Sequence, residues 1–195
     1  MNESEVEEKF KGLLRKLERE PTNYEKFVKF TKFYAEEIPK RKGGKYSERF
    51  FKWLIDGMTD QEIKRGKEFT KVSINLGTGK IDKEFDLHVE DTQKFIEVKK
   101  NIDMIERDLF KVFLLKNDSN HWNKEVFLVV WEEYDHIKPT SQYGTFLEHF
   151  ESKEYIKGYS YLYPHKTKED WEEKRYNTEE KFDKELDKLE KFLSS

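Results

Sequence analysis

The chain has 195 residues, of which 41% are charged and 35% belong to the AVILMFWYC set. Disorder is excluded by charge balance and ring content: 38 Lys+Arg against 41 Asp+Glu leave a net charge of −3, and 15% aromatic residues supply core material. The absence of cysteine rules out disulfides, thiolate metal sites and Cys nucleophiles, and with no apolar run near ~18 residues and no signal-like N-terminus a soluble cytoplasmic protein of one domain is expected.

The first 39 residues read as two helices. Ser4 and Glu7 have capping-box spacing, and Val6, Phe10, Leu13, Leu14 and Leu17 follow at helical intervals before Pro21. Thr22 and Glu25 repeat the start signal, and Tyr24, Phe27, Val28, Thr31, Tyr34 and Ile38 mark one face up to Pro39. Residues 40–45 (KRKGGK) read as a basic, glycine-broken loop. A third helix starts near Ser47 and presents Phe50, Phe51, Leu54, Ile55 and Met58.

The period then changes. Residues 68–76 predict a strand ending in a turn at Gly77-Thr78-Gly79, and residues 83–89 and 94–100 alternate with period two around Glu90-Asp91-Thr92-Gln93. A helix over 102–117 follows, with Ile102, Ile105, Leu109, Val112 and Phe113 on one side. The apolar run 125–131 (EVFLVVW) suits a strand covered on both faces. A helix near 142–152, a strand near 157–163 and a terminal helix near 178–193 complete the order. In the last, Phe182, Leu186, Leu189, Phe192 and Leu193 form a stripe expected to pack within the chain, with a homodimer seam as the alternative. The expected architecture is α/β, a mixed sheet flanked by helices. It comprises an N-terminal helical part (1–39), a core (45–133) and a C-terminal α/β extension (134–195).

The informative segment is 83–100. Paired as an antiparallel hairpin, it sets Phe85 opposite Val98 and Leu87 opposite Ile96 on one face. Asp86 opposes Glu97, Glu84 opposes Lys99 and His88 opposes Phe95 on the other. Like charges directly opposite are destabilising. Either both carboxylates point to water with Lys99 diluting their repulsion, or a hard divalent cation lies between them. Mg²⁺ takes oxygen ligands, one or two carboxylates with waters, and completes its shell with phosphate oxygens. Lys99, two residues beyond Glu97 on the same face, can reach a water or a phosphorane there. Together these groups suit phosphodiester hydrolysis. Glu-x-Lys recurs at Glu7/Lys9, Glu62/Lys64, Glu151/Lys153, Glu172/Lys174 and Glu179/Lys181, but only the Glu97/Lys99 copy lies in a strand with an acid across from it.

Asp86 followed by Glu97-Val98-Lys99 resembles the PD-(D/E)xK nuclease motif of restriction endonuclease-like folds, over roughly residues 45–133. The resemblance implies Mg²⁺ held by Asp86, Glu97 and the main-chain carbonyl of Val98, with Lys99 orienting or activating the attacking water. Glu48, in GGKYSERFFKWLI, fits the additional acid that many members carry on the preceding helix. Phe85 stands where the name-giving proline would be. The implied activity is Mg²⁺-dependent, site-specific cleavage of double-stranded DNA by a type II restriction endonuclease acting as a homodimer. A junction resolvase or repair nuclease of the same fold, and a non-catalytic nucleic-acid-binding module, are the alternatives. Lys40, Arg41, Lys42, Lys45, Lys64, Arg65 and Lys67 are the expected DNA contacts, since basic residues concentrate there. His88 is expected to be structural, and His121-Trp122 a surface loop with a packed Trp.

Overall fold

The structure is a computed structural model and describes residues 3–39, 43–101, 105–131, 142–163 and 178–195. Three helices come first: α1 (Glu3–Leu17), α2 (Asn23–Glu37) and α3 (Gly43–Asp56). Thr22 caps α2 as its spacing predicts, its hydroxyl accepting the Glu25 N–H at 3.2 Å. Ser4 lies inside α1, so the capping-box reading there fails. α3 begins at Gly43, so the second half of the expected basic loop is helical, and Lys40, Arg41 and Lys42 lie outside the described residues.

After β1 (Ile63–Lys64) and the single turn α4 (Lys67–Thr70), β2 (Lys71–Asn75) and β3 (Lys80–Glu84) form a separate two-stranded sheet. The expected strand 68–76 is thus cut at its start by α4. The turn between β2 and β3 is where the glycines put it: Gly77 has φ +82°, and Leu76 N–H reaches the Gly79 carbonyl at 2.9 Å. β4 (Leu87–Val89), β5 (Lys94–Lys100), α5 (Glu106–Lys116), β6 (Glu125–Trp131), α6 (Gln142–Ser152), β7 (Gly158–Leu162) and α7 (Glu179–Ser194) follow. The main sheet has the order β1-β4-β5-β6-β7, with β1/β4 and β4/β5 antiparallel and β5/β6 and β6/β7 parallel.

The β4/β5 register is the predicted one, Leu87 with Ile96 and His88 with Phe95. The hairpin is shorter than predicted, however. Glu84 pairs with Lys71 in the small sheet, not with Lys99, and the chain passes from one sheet to the other at Phe85–Asp86. Phe85 therefore does not face Val98. Its ring goes to the opposite side of the sheet, 5.0 Å from that of Phe95. The crossing has a physical cause: Phe85 N–H bonds the Thr70 carbonyl at 3.1 Å, holding that residue to the small sheet.

Two cores cover the two faces of the main sheet. On one, Ile96, Val98, Phe127, Val129 and Trp131 meet the apolar sides of α1, α2, α3 and α7. Trp131 is enclosed by Tyr34, Phe30 and Phe51, with ring centroids 4.9, 5.4 and 6.1 Å away. On the other, Phe95, Val126, Leu128 and Val130 meet α5, Leu147 of α6 and the inner side of β2 and β3. β6 feeds both cores by alternation, which is why its sequence is a continuous apolar run. Each fully buried apolar side chain of this kind contributes about 1.5–3 kcal/mol. Phe113, expected on the buried side of α5, is exposed, and Ile102 lies outside the described residues. The α7 stripe is buried within the chain, and Lys94 secures that helix by donating to the Leu193 carbonyl at 3.1 Å. Among the described residues no helix is long and apolar enough to cross a membrane.

Candidate active site

The site forms where β5 passes beneath the start of α5. Alternation along β5 sends Ile96 and Val98 into the first core and Phe95, Glu97 and Lys99 toward α5. Asp86 follows the sheet-to-sheet crossing. Its Oδ2 accepts the Val98 N–H at 2.7 Å, taking a donor that the shortened hairpin leaves without a main-chain partner. Asp86 and Glu97 are therefore neighbours, but through a side-chain bond to β5 rather than as a cross-strand pair.

α5 turns two charged side chains back onto these acids. Lys111 Nζ lies 2.6 Å from Glu97 Oε1, donates to the Glu84 carbonyl at 2.9 Å and sits 4.5 Å from the centre of the Phe85 ring. Asp108 Oδ2 lies 2.8 Å from Lys99 Nζ. Glu97, Asp108 and Lys111 are 3%, 5% and 8% exposed. Asp108 and Lys111 were not singled out in the sequence. Their signal was available: both fall among the positions of α5 that carry Leu109, Val112 and Leu115 inward, where a charge needs a partner. Asp82, Lys83, Glu84, Glu97, Lys99, Arg107, Asp108 and Lys111 line a cavity of about 310 Å³.

The electrostatics follow from burial. Burial, then the Glu48 carboxylate, pushes the Asp86 carboxyl up to about 6, against the Val98 N–H and the Lys111 and Lys99 ammoniums. Glu97 is pushed well up by burial, then by Asp86, with Lys111 opposing. Burial pulls Lys99 down, but Asp108, Glu97 and Asp86 outweigh it and leave the ammonium raised. Two acids that resist ionisation thus stand beside a lysine that stays charged.

The donor set fits a hard divalent cation. Glu97 Oε2 is buried with no hydrogen-bond partner among the described residues, and a second carboxylate is adjacent. No group of three or more His, Asp or Glu side chains suited to a metal occurs among the described residues, so two carboxylates would need help from main chain and water. Glu48 lies close enough to influence Asp86, but its carboxylate is engaged by Arg65 Nε at 2.9 Å.

The other sequence-derived candidates fall as follows. Lys45 is 3.6 Å from Glu3, Lys64 pairs with Glu62 and Glu90, and Lys67, 3.9 Å from Glu84, is otherwise exposed. His88 stacks on Phe95 at 4.6 Å, and its Nε2 is 3.0 Å from the Thr92 carbonyl. His121 Nε2 bonds the Ser73 carbonyl, while Trp122 is exposed rather than packed.

A scan against protein-family models gives no match, and neither do searches of curated proteins and of solved structures.

Proposed function

We propose that the chain is a Mg²⁺-dependent endonuclease of PD-(D/E)xK type that hydrolyses phosphodiester bonds in double-stranded DNA. The observation that carries this reading is Glu97 and Lys99 lining one cleft, with Asp86 bonded beside Glu97 to the Val98 N–H and a buried Glu97 oxygen left without a partner among the described residues. The antiparallel β4/β5 pair followed by α5 and the parallel strand β6 supports it, being the order that the motif implies.

Asp86, Glu97 and the Val98 carbonyl would hold the cation, which supplies a nucleophile near neutral pH and neutralises charge building on phosphate oxygens. Asp86 is fixed beside Glu97 by the Val98 N–H, which engages one of its carboxylate oxygens. Lys99, held charged by Asp108, orients the attacking water or meets the developing phosphorane charge. A purely structural ion-pair cluster fits less well: buried pairs are often no more stabilising than apolar residues, and Asp86 beside Glu97 adds repulsion.

Cleavage of both strands at a specific site, the restriction-enzyme form of the proposal, requires two such centres and hence a twofold dimer. Its contact surface would be one other than the α7 stripe, which the core covers. The test is incubation of parent, Asp86→Asn and Glu97→Gln proteins with duplex DNA and Mg²⁺, with fragment ends sequenced. Discrete ends from the parent alone are expected. Equal cleavage by either variant would sink the mechanism.

A further inference from the structure

Among the described residues eight charged side chains line the cavity over Glu97, and six of them are engaged. Glu97 meets Lys111, Lys99 meets Asp108, Asp82 meets Lys71 at 2.6 Å, and Glu84 meets Lys67 at 3.9 Å. The two that remain, Lys83 and Arg107, are both cations, and among the described residues neither has an acidic partner. Their positions are set by separate elements. Lys83 opposes Val72 in the small sheet and so lies on the side that carries Val72, Ile74 and Ile81 toward the second core. Arg107 is in the first turn of α5, which begins without a side-chain cap.

We propose that Lys83 and Arg107 are the phosphate-positioning residues of this cleft, holding backbone phosphates of duplex DNA on either side of the one brought to Glu97 and Lys99. The inference rests on the nuclease reading for the identity of the central phosphate. It moves the backbone track from the 40–67 stretch to the small sheet and the start of α5. Lys45, Lys64 and Arg65 already have carboxylate partners and would have to break them to meet a phosphate. Lys83 and Arg107 give up no ion pair. Arginine at one edge also offers a planar fork suited to two phosphate oxygens, whereas lysine acts as a point charge.

The test is binding of a dye-labelled duplex in Ca²⁺ by fluorescence anisotropy across a salt series. Each phosphate contact contributes about 0.9 to the slope of log affinity against log salt. Lys83→Ala and Arg107→Ala are each expected to flatten the slope by about that amount, and the double variant by about twice as much. Lys83→Arg and Arg107→Lys should return most of it, which separates lost charge from lost folding. Lys32→Ala removes an exposed cation of α2, on the far face of the sheet, and should leave the slope unchanged. Unchanged slopes in both alanine variants, or slopes equally flattened by Lys32→Ala, would overturn the proposal even if Mg²⁺-dependent cleavage is found. Flattened slopes with no cleavage by the parent would instead support the phosphate cleft and remove the nuclease reading.

Discussion

Lys111 Nζ stands 2.6 Å from Glu97 Oε1, so the ammonium of α5 occupies one side of the carboxylate on which the proposed metal site depends. A cation is already present where a divalent cation would be drawn. Removing it should have two effects. Lys111→Met removes the ammonium beside the buried Glu97 carboxyl, and leaving such a group short of a partner costs about 1–3 kcal/mol. Urea melts without metal should show that loss. Added Ca²⁺ should then raise the midpoint of the variant by more than that of the parent, because the variant has lost the competitor. A metal-free midpoint equal to the parent's would show that the pair has no such role.

Gly43 and Gly44 offer a comparison within one turn. A Cβ on Gly43 would lie 1.7 Å from the Tyr34 hydroxyl and 2.7 Å from its ring carbon, and that ring is packed against Trp131. A Cβ on Gly44 would find nothing closer than a Glu48 oxygen at 3.8 Å. Gly43→Ala should therefore destabilise through displacement of Tyr34. Gly44→Ala should be neutral or gain up to about 1 kcal/mol from helix propensity. Thermal melts of the two variants check this, and equal behaviour would contradict the packing of Tyr34 over the start of α3.

The same glycines show where the sequence was legible and where it was not. Period and caps placed α2, β6, β7 and α7 well, because their apolar positions repeat over many residues and their neighbours are turn formers. Gly43-Gly44 read as a loop because glycine disfavours helix, yet tertiary packing under Tyr34 requires a residue without a side chain there. The site was half legible. The spacing of Asp86, Glu97 and Lys99 singles these residues out, the structure sets Asp86 beside β5, and the β4/β5 register is the expected one. The crossing at Phe85–Asp86 was not, since alternation continues through 83–89 while the hydrogen bonds change partner from β2 to β5. Asp108 and Lys111 were missed because a helix pattern was read for its apolar members, while the two charges among them carried the information.

Lys99 should separate binding from chemistry. Lys99→Met leaves both proposed metal-binding acids in place and retains an unbranched apolar stem for packing. Asp108 keeps Lys111 at 3.8 Å as a counter-charge. Ca²⁺ affinity, followed by calorimetry, should change little, while Mg²⁺-dependent cleavage should fall by at least the ~10²–10³ that removal of one charge-stabilising donor typically costs. Loss of Ca²⁺ binding alongside cleavage would assign Lys99 to holding the site together instead.

Asp86 makes the metal-free protein sensitive to pH in a defined sense. Its carboxyl is raised from an ordinary 3.8 to about 6, so between those values the folded chain keeps a proton that the unfolded chain has released. The associated stability is fully present below about 3.8 and is lost as pH rises through about 6, the reverse of a salt-bridged aspartate. At 1.36 kcal/mol per unit the difference amounts to ~3 kcal/mol. Asp86→Asn removes this titration and also relieves Glu97 of the Asp86 charge that helps to raise it. The stability of the parent relative to Asp86→Asn should therefore decline by roughly that amount between pH 4 and about pH 7, measured by urea unfolding in chelator. A divalent cation must displace protons from both acids, so Ca²⁺ affinity of the parent should rise steadily with pH, and part of that rise should be lost in Asp86→Asn. A flat stability difference, with metal affinity independent of pH over that range, would show that Asp86 is ionised throughout and that burial does not govern it.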